Sequence, residues 1–184
     1  MALIPRNAFL QWNCRSINKR KFTLKHIVTI TQPVAIALQE TFLVNDSDLS
    51  ELTKLFIEFN FYFHNRTRIG AANPRGGVAI MVHKDVPQKL LPLKSNLEAV
   101  AVDLVYRKRP ISFCSLYLPP NVNFTVHSLI ALSKELSQHH ILMGDFNAHN
   151  TLWGSERNSY AGRKVSEFVA NTNNIILNNG IPHT

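Results

Sequence analysis

The chain has 184 residues, 45% hydrophobic and 17% charged, which excludes a disordered polymer and bounds it to one packed domain or a large part of one. Its 20 Lys and Arg outnumber 12 Asp and Glu, and the formal charge of +8 favours a polyanionic partner, nucleic acid ahead of an anionic membrane. Charge alone does not separate this from a basic protein with no anionic partner.

Two cysteines, Cys14 and Cys114, are too few for a disulfide framework or a zinc site and read as buried thiols in a reducing compartment. Arg6 and Asn7 interrupt the start, so no secretory signal is expected, and no apolar run is long enough to span a membrane. No repeat or low-complexity linker divides the chain.

The elements alternate. Ala8 to Asn13 predicts a first strand, and Ser16 caps a predicted helix to Thr31 with Leu24, Ile27 and Val28 on one face. Val34 to Glu40 reads as a buried strand closing on a carboxylate. Leu49 to Phe59 is expected to be helical, and Phe61 to Asn65 a strand. Gly70, Pro74, Gly76 and Gly77 supply turn chemistry before a strand at Val78 to His83. Glu98 to Tyr106 and Ile111 to Leu118 predict a hairpin joined at Arg107–Pro110. Val126, Leu129, Ile130 and Leu136 mark a helix, Ile141 to Asn147 a strand, Val165 to Thr172 a helix, and Ile175 to Leu177 a last strand before a turn at Asn179-Gly180.

Two strand–helix–strand units emerge, each expected to pair its strands in parallel through a crossover. Asn13 and Glu40 then share one sheet edge, and Tyr117 and Asp145 another. Alternation along a strand puts Asp145 and Asn147 on the same side. Polar groups where strands leave the core are a usual place for a site in α/β folds. One Asn or Asp there is only a turn starter. Five such positions on four strands point to a site.

The segments LQWNCRS (10–16), LQET (38–41), RGGVAIMVH (75–83), SLYLPP (115–120) and GDFNAHNTLWG (144–154) resemble the endonuclease/exonuclease/phosphatase family in order and spacing. SLYLPP with GDFNAHNTLWG is most similar to the endonuclease domains of jockey-like non-LTR retrotransposons. The resemblance implies a four-layer α/β sandwich of two packed mixed sheets with helices outside. It implies that Glu40, with Asn13 beside it, holds Mg²⁺ or Mn²⁺. Asp145 then activates the attacking water, Asn147 orients that water or the phosphate, and Tyr117 bonds the scissile phosphate. His149, Arg75 and Lys19 are weaker candidates for contact with DNA.

Other residues carry blander readings. His139 and His140 read as a helix-end surface pair, His83 as surface, Trp153 as an anchor for the loop after GDFN, and Glu98 as a surface carboxylate rather than a support for the site. Lys19, Arg20, Lys21 and Lys25 could follow a DNA backbone or simply be solvated.

The resemblance further implies a Ser-Asp-His motif and an Ile-Asp or Leu-Asp motif beyond the last strand. Neither occurs in residues 1–184. The expectation is therefore a single domain, 1–184, truncated before Ser-Asp-His. Its implied setting is a nuclear, intracellular polyprotein that nicks target DNA so that the 3′ hydroxyl primes reverse transcription of the element's RNA. The partners implied are DNA, that RNA and a reverse transcriptase domain, with no membrane. Another member of the family (a repair endonuclease or a phosphatase) and an inactive DNA-binding remnant are the alternatives.

Overall fold

The computed structural model describes residues 8–43, 46–64, 76–120 and 122–178. Among the described residues, eight strands form two four-stranded sheets. The first holds β1 (Phe9–Asn13), β2 (Ala35–Gln39), β3 (Phe59–His64) and β4 (Val78–His83) in the order β1-β2-β4-β3. The second holds β5 (Gln88–Leu91), β6 (Glu98–Tyr106), β7 (Arg109–Tyr117) and β8 (His140–Asp145) in sequence order. The expected parallel pairs are both present: β1 with β2, and β7 with β8.

Three apolar layers hold the sandwich. Helix α1 (Ile17–Thr31) and helix α2 (Asp46–Leu55) cover the outer face of the first sheet, where Leu24, Val28, Leu52 and Phe56 meet Ile36, Leu38 and Met81. Val78, Ile80, Val82, Val100, Val102 and Phe113 fill the space between the sheets. Helix α3 (Val126–Glu135) and helix α4 (Tyr160–Ala170) cover the second sheet, with Leu129, Leu132 and Phe168 against Cys114 and Leu116. A strand covered on both faces reads as a near-continuous apolar run, and β2 is buried throughout, with Gln39 its one polar residue. This is the four-layer arrangement the sequence led us to expect.

Several details differ. Helix α2 starts and ends earlier than expected, and Phe59 opens β3 instead. Ser16 sits at φ 87° and makes no side-chain cap; its amide is held by the Glu40 carbonyl at 2.8 Å. Strand β5 was not legible because it is a short edge strand with Lys89 and Leu90 exposed. The β6–β7 turn is only Arg107-Lys108, both at positive φ, so Arg109 and Pro110 belong to β7. This is the backbone of a two-residue hairpin turn without its usual Asn-Gly signal. Ile175 to Leu177 is not a strand: it has no ladder partner among the described residues, and Ile175 and Leu177 are exposed. The expected turn at Asn179-Gly180 lies outside the described residues.

The expected histidine roles also change. His83 is buried, edge-on to the Phe59 ring at 5.2 Å, because both neighbours of β4 in its sheet are paired. His140 belongs to β8 rather than to a helix end, with Nδ1 2.9 Å from the Ser137 carbonyl and Nε2 2.8 Å from Asn174 Oδ1.

Candidate active site

The two crossover units deliver their polar ends to one place. Asn13 closes β1, and Asp145 closes β8 in the other sheet. The Asn13 side-chain amide donates to both carboxylates, to Glu40 Oε1 at 2.8 Å and to Asp145 Oδ2 at 2.7 Å. The Tyr117 hydroxyl, at the end of β7, donates to the same Glu40 oxygen at 3.0 Å. Four side chains from four strands or strand ends thus form one hydrogen-bonded cluster across the gap between the sheets.

The backbone at the site is unusual. Glu40, Phe42, Arg15 and Asn147 all have φ between 43° and 53°. Such conformations cost on the order of 1–3 kcal/mol each and persist only where surroundings enforce them. Here they turn the chain sharply as it leaves β1, β2 and β8. At Asn147 this overturns the expected alternation, since β8 has already ended at Asp145. Asn147 reaches the site by another route: its backbone N–H donates to Asp145 Oδ1 at 3.0 Å, and its side-chain amide donates to the Leu118 carbonyl at 3.0 Å. Asp145 is therefore held on one oxygen by Asn147 and on the other by Asn13.

Two glycines of the motifs are sterically required. A Cβ on Gly144 would lie 1.9 Å from the Leu116 carbonyl oxygen, so only glycine lets β8 approach β7 just before Asp145. Gly76, at φ 88°, would place a Cβ 2.5 Å from Glu98 Oε1. The Gly76 and Gly77 carbonyls accept the Phe42 and Thr41 amides at 3.1 Å, and the Gly77 amide donates to Glu98. Glu98 faces Tyr117 in the β6–β7 register. It thus braces the Glu40 segment, the role given less weight in the sequence. Counting back from the two-residue turn would have paired Glu98 with Tyr117.

Electrostatics keep the Tyr117 phenol protonated. Burial, its bond to Glu40 and the negative charge of Glu40, Asp145 and Glu98 all push its pKa upward. Burial, and then the charge of Glu40, likewise push the Cys14 thiol up to about 12.

The weaker candidates lie apart from this cluster. Lys19 is exposed on α1, and His149 is exposed with its backbone tied to Ser159. Arg75 lies outside the described residues. Of the basic run, Lys21 pairs with Glu51 and Lys25 lies 5.5 Å from the Phe56 ring centre, which leaves Lys19 and Arg20 as its exposed members. Trp153 anchors its loop, donating from Nε1 to the Ala148 carbonyl at 2.8 Å.

Comparison with known proteins finds relatives in sequence and in fold. A family model described as Endonuclease-reverse transcriptase matches residues 111–184. The RNA-directed DNA polymerase from mobile element jockey of Drosophila funebris is 29% identical over 147 residues, 78% of this chain and 16% of that protein. The probable RNA-directed DNA polymerase from transposon X-element of Drosophila melanogaster is 25% identical over 165 residues, 89% of this chain and 17% of that protein. The solved endonuclease domain of TRAS1, a telomere-specific non-LTR retrotransposon, aligns with a TM-score of 0.68 at 21% identity, over 90% of this chain and 72% of that one. In sequence the chain is thus similar to RNA-directed DNA polymerases of mobile elements, and in fold to the solved TRAS1 endonuclease domain.

The same fold occurs outside retrotransposons: an AP endonuclease from Archaeoglobus fulgidus aligns with a TM-score of 0.57 at 16% identity, over 88% of this chain and 69% of that one. The chain spans about a sixth of the length of the curated relatives it matches, 16% and 17% in the two cases above.

The donors available to a cation are hard oxygens. Glu40 Oε2 has no hydrogen-bond partner among the described residues, while Oε1 is held by Asn13 and Tyr117. No group of three or more His, Cys, Asp or Glu able to hold a metal occurs among the described residues. A carboxylate oxygen is the donor type that hard cations take, with water completing their coordination. Asn13 presents nitrogen, not oxygen, to the carboxylates.

Proposed function

We propose that this site hydrolyses phosphodiester bonds in DNA with the help of Mg²⁺, and that Mn²⁺ can replace it. The observation that supports this reading best is the joining of Glu40, Asp145 and Tyr117 through single hydrogen bonds across two sheets. Glu40 would hold the cation, which when bound supplies positive charge to the phosphoryl oxygens.

Asp145, fixed on both oxygens, orients the attacking water and takes its proton. Tyr117 stays protonated and turns its one hydroxyl proton from Glu40 to a phosphoryl oxygen as negative charge develops. Asn13 spaces the two carboxylates, and Asn147 fixes Asp145 from the loop side. The water oxygen bonds to phosphorus, the P–O3′ bond breaks, and the leaving oxygen takes a proton from solvent to become a 3′ hydroxyl, while Asp145 returns its proton to solvent.

The similarity to polyproteins of mobile elements suggests the setting. The nick would prime reverse transcription of the element's RNA by a polymerase domain of the same polypeptide, in the nucleus, on chromosomal DNA. The test is conversion of supercoiled plasmid to nicked circle, with Mg²⁺ and with chelator. Cation-dependent circles with a 3′ end that a polymerase extends support the reading. DNA binding without cleavage in the complete polypeptide would instead favour an inactive DNA-binding remnant.

A further inference from the structure

Beneath the cluster lies a second polar row in an otherwise apolar layer. Gln39 and Ser115 are both 0% exposed, between sheets lined by Val78, Ile80, Val100 and Phe113. The Gln39 amide nitrogen donates to Ser115 Oγ at 2.9 Å, and Ser115 Oγ donates to the Leu38 carbonyl at 3.1 Å. Gln39 Oε1 in turn accepts from Gln11 Nε2 at 2.5 Å. These three residues belong to β1, β2 and β7.

Stability does not account for this row. Burying an amide and a hydroxyl is unfavourable unless both are bonded, and replacing both partners by apolar groups of the same shape is often neutral. What the bonds add is direction. Apolar packing resists separation of the sheets but is non-directional, whereas a donor–acceptor pair fixes their relative position.

The row also lies one step from the chemistry. Gln11 is two residues before Asn13 on β1, and Ser115 two before Tyr117 on β7, so each shares a strand face with its catalytic neighbour. Gln39 immediately precedes Glu40, whose φ of 51° makes its direction depend on the residue before it.

We infer that Gln39 and Ser115 are positioning residues: a buried hydrogen-bond clamp between the sheets that sets the spacing of the Glu40 half of the site from the Tyr117 and Asp145 half. This rests on the hydrolytic reading above. It predicts that the clamp governs turnover and cation affinity more than fold stability. Misplacement of a reacting group by about 1 Å can lower a rate about 10²-fold.

The test compares wild type, the apolar double variant Gln39→Leu/Ser115→Ala and the shape-conserving Ser115→Cys, each in the complete polypeptide that contains this chain. The control is Val165→Ala, in the core behind the second sheet. Readouts are thermal midpoint, kcat and KM for plasmid nicking, Mn²⁺ affinity by electron paramagnetic resonance, and the NMR resonances of the Asn13 side-chain amide. The expected result is a double variant that melts no lower than the control, with kcat down about 10–100-fold, weaker Mn²⁺ binding, shifted Asn13 resonances and little change in KM. Ser115→Cys should fall between it and wild type, and carries the test if the double variant does not fold.

Wild-type kcat, Mn²⁺ affinity and Asn13 resonances in a folded clamp variant would overturn the clamp. So would a kcat loss matched by the control at equal melting temperature. A wild type that does not nick overturns the hydrolytic reading instead. The clamp is then judged on the Asn13 resonances, which must still shift in the variants if it holds and refute it if they do not.

Discussion

The Asn13 amide nitrogen lies 2.7 Å from Asp145 Oδ2, and the two residues are 132 positions apart in the chain and in different sheets. The same nitrogen holds Glu40 Oε1. One neutral donor thus keeps two carboxylates in register. Asn13→Ala should lower kcat for nicking by about 10²-fold through misplacement, with DNA affinity nearly unchanged. Asn13→Asp should be worse, because it removes the donor and adds a third negative charge. Steady-state nicking beside a binding titration checks both; an active Asn13→Asp would contradict the bridging role.

Strand β8 pairs only with β7 among the described residues, and its open side borders a groove of about 1060 Å³ lined by Ile141, Met143, Phe168 and Ile176. An unpaired apolar edge invites association. Residues 1–184 are therefore expected to self-associate, and Ile176→Lys in that groove should weaken the association in sedimentation. Equal self-association of both forms would refute this.

Burial, followed by the charge of Glu40 for Cys14 and of Glu135 for Cys114, pushes both thiols up to about 12. A folded value above the unfolded one means the stability it confers is complete below the unfolded thiol pKa, about 8.5. That stability is lost as pH rises toward the folded value. The urea midpoint should fall between about pH 8.5 and 12, and Cys14→Ala/Cys114→Ala should flatten that fall. Native protein at pH 8 should resist alkylation at both positions, since the thiolate is the reactive form. A fall of equal steepness in the double variant would contradict the assignment.

Of the four basic residues at the start of α1, Lys19 and Arg20 are the exposed pair without a tertiary partner described above. If they meet DNA phosphates, log affinity should fall linearly with log salt, and the double alanine variant should lower that slope by about 1 per lost contact. A flat dependence in the wild type, or an unchanged slope in the variant, would remove them from the interface.

Much of this was legible because it rests on local pattern. The two crossover units and the hairpin follow from apolar runs that carry Asn13, Glu40, Tyr117 and Asp145 at or near their ends. What sequence could not show is where backbone conformation breaks the pattern. Asn147 was aligned with Asp145 by strand alternation, yet a left-handed turn places it beside Asp145 through its backbone amide instead. Glu98 looked like surface because the Gly77 amide that binds it arrives from the segment before β4, distant in sequence. His83 looked exposed because a polar residue at a strand end usually is, but β4 lies inside its sheet.

The central claim is that the cluster of Asn13, Glu40, Tyr117 and Asp145 hydrolyses DNA with a divalent cation. The most direct measurement is nicking of supercoiled plasmid by the complete polypeptide, alongside Glu40→Gln and Asp145→Asn, with DNA affinity recorded for each. Wild type should nick with Mg²⁺ and stop with chelator. Both variants should lose most of that rate while binding DNA nearly as well, because each change strikes groups that act on the transition state rather than general phosphate attraction. Normal nicking by either variant, or cation-independent nicking by the wild type, would contradict the account.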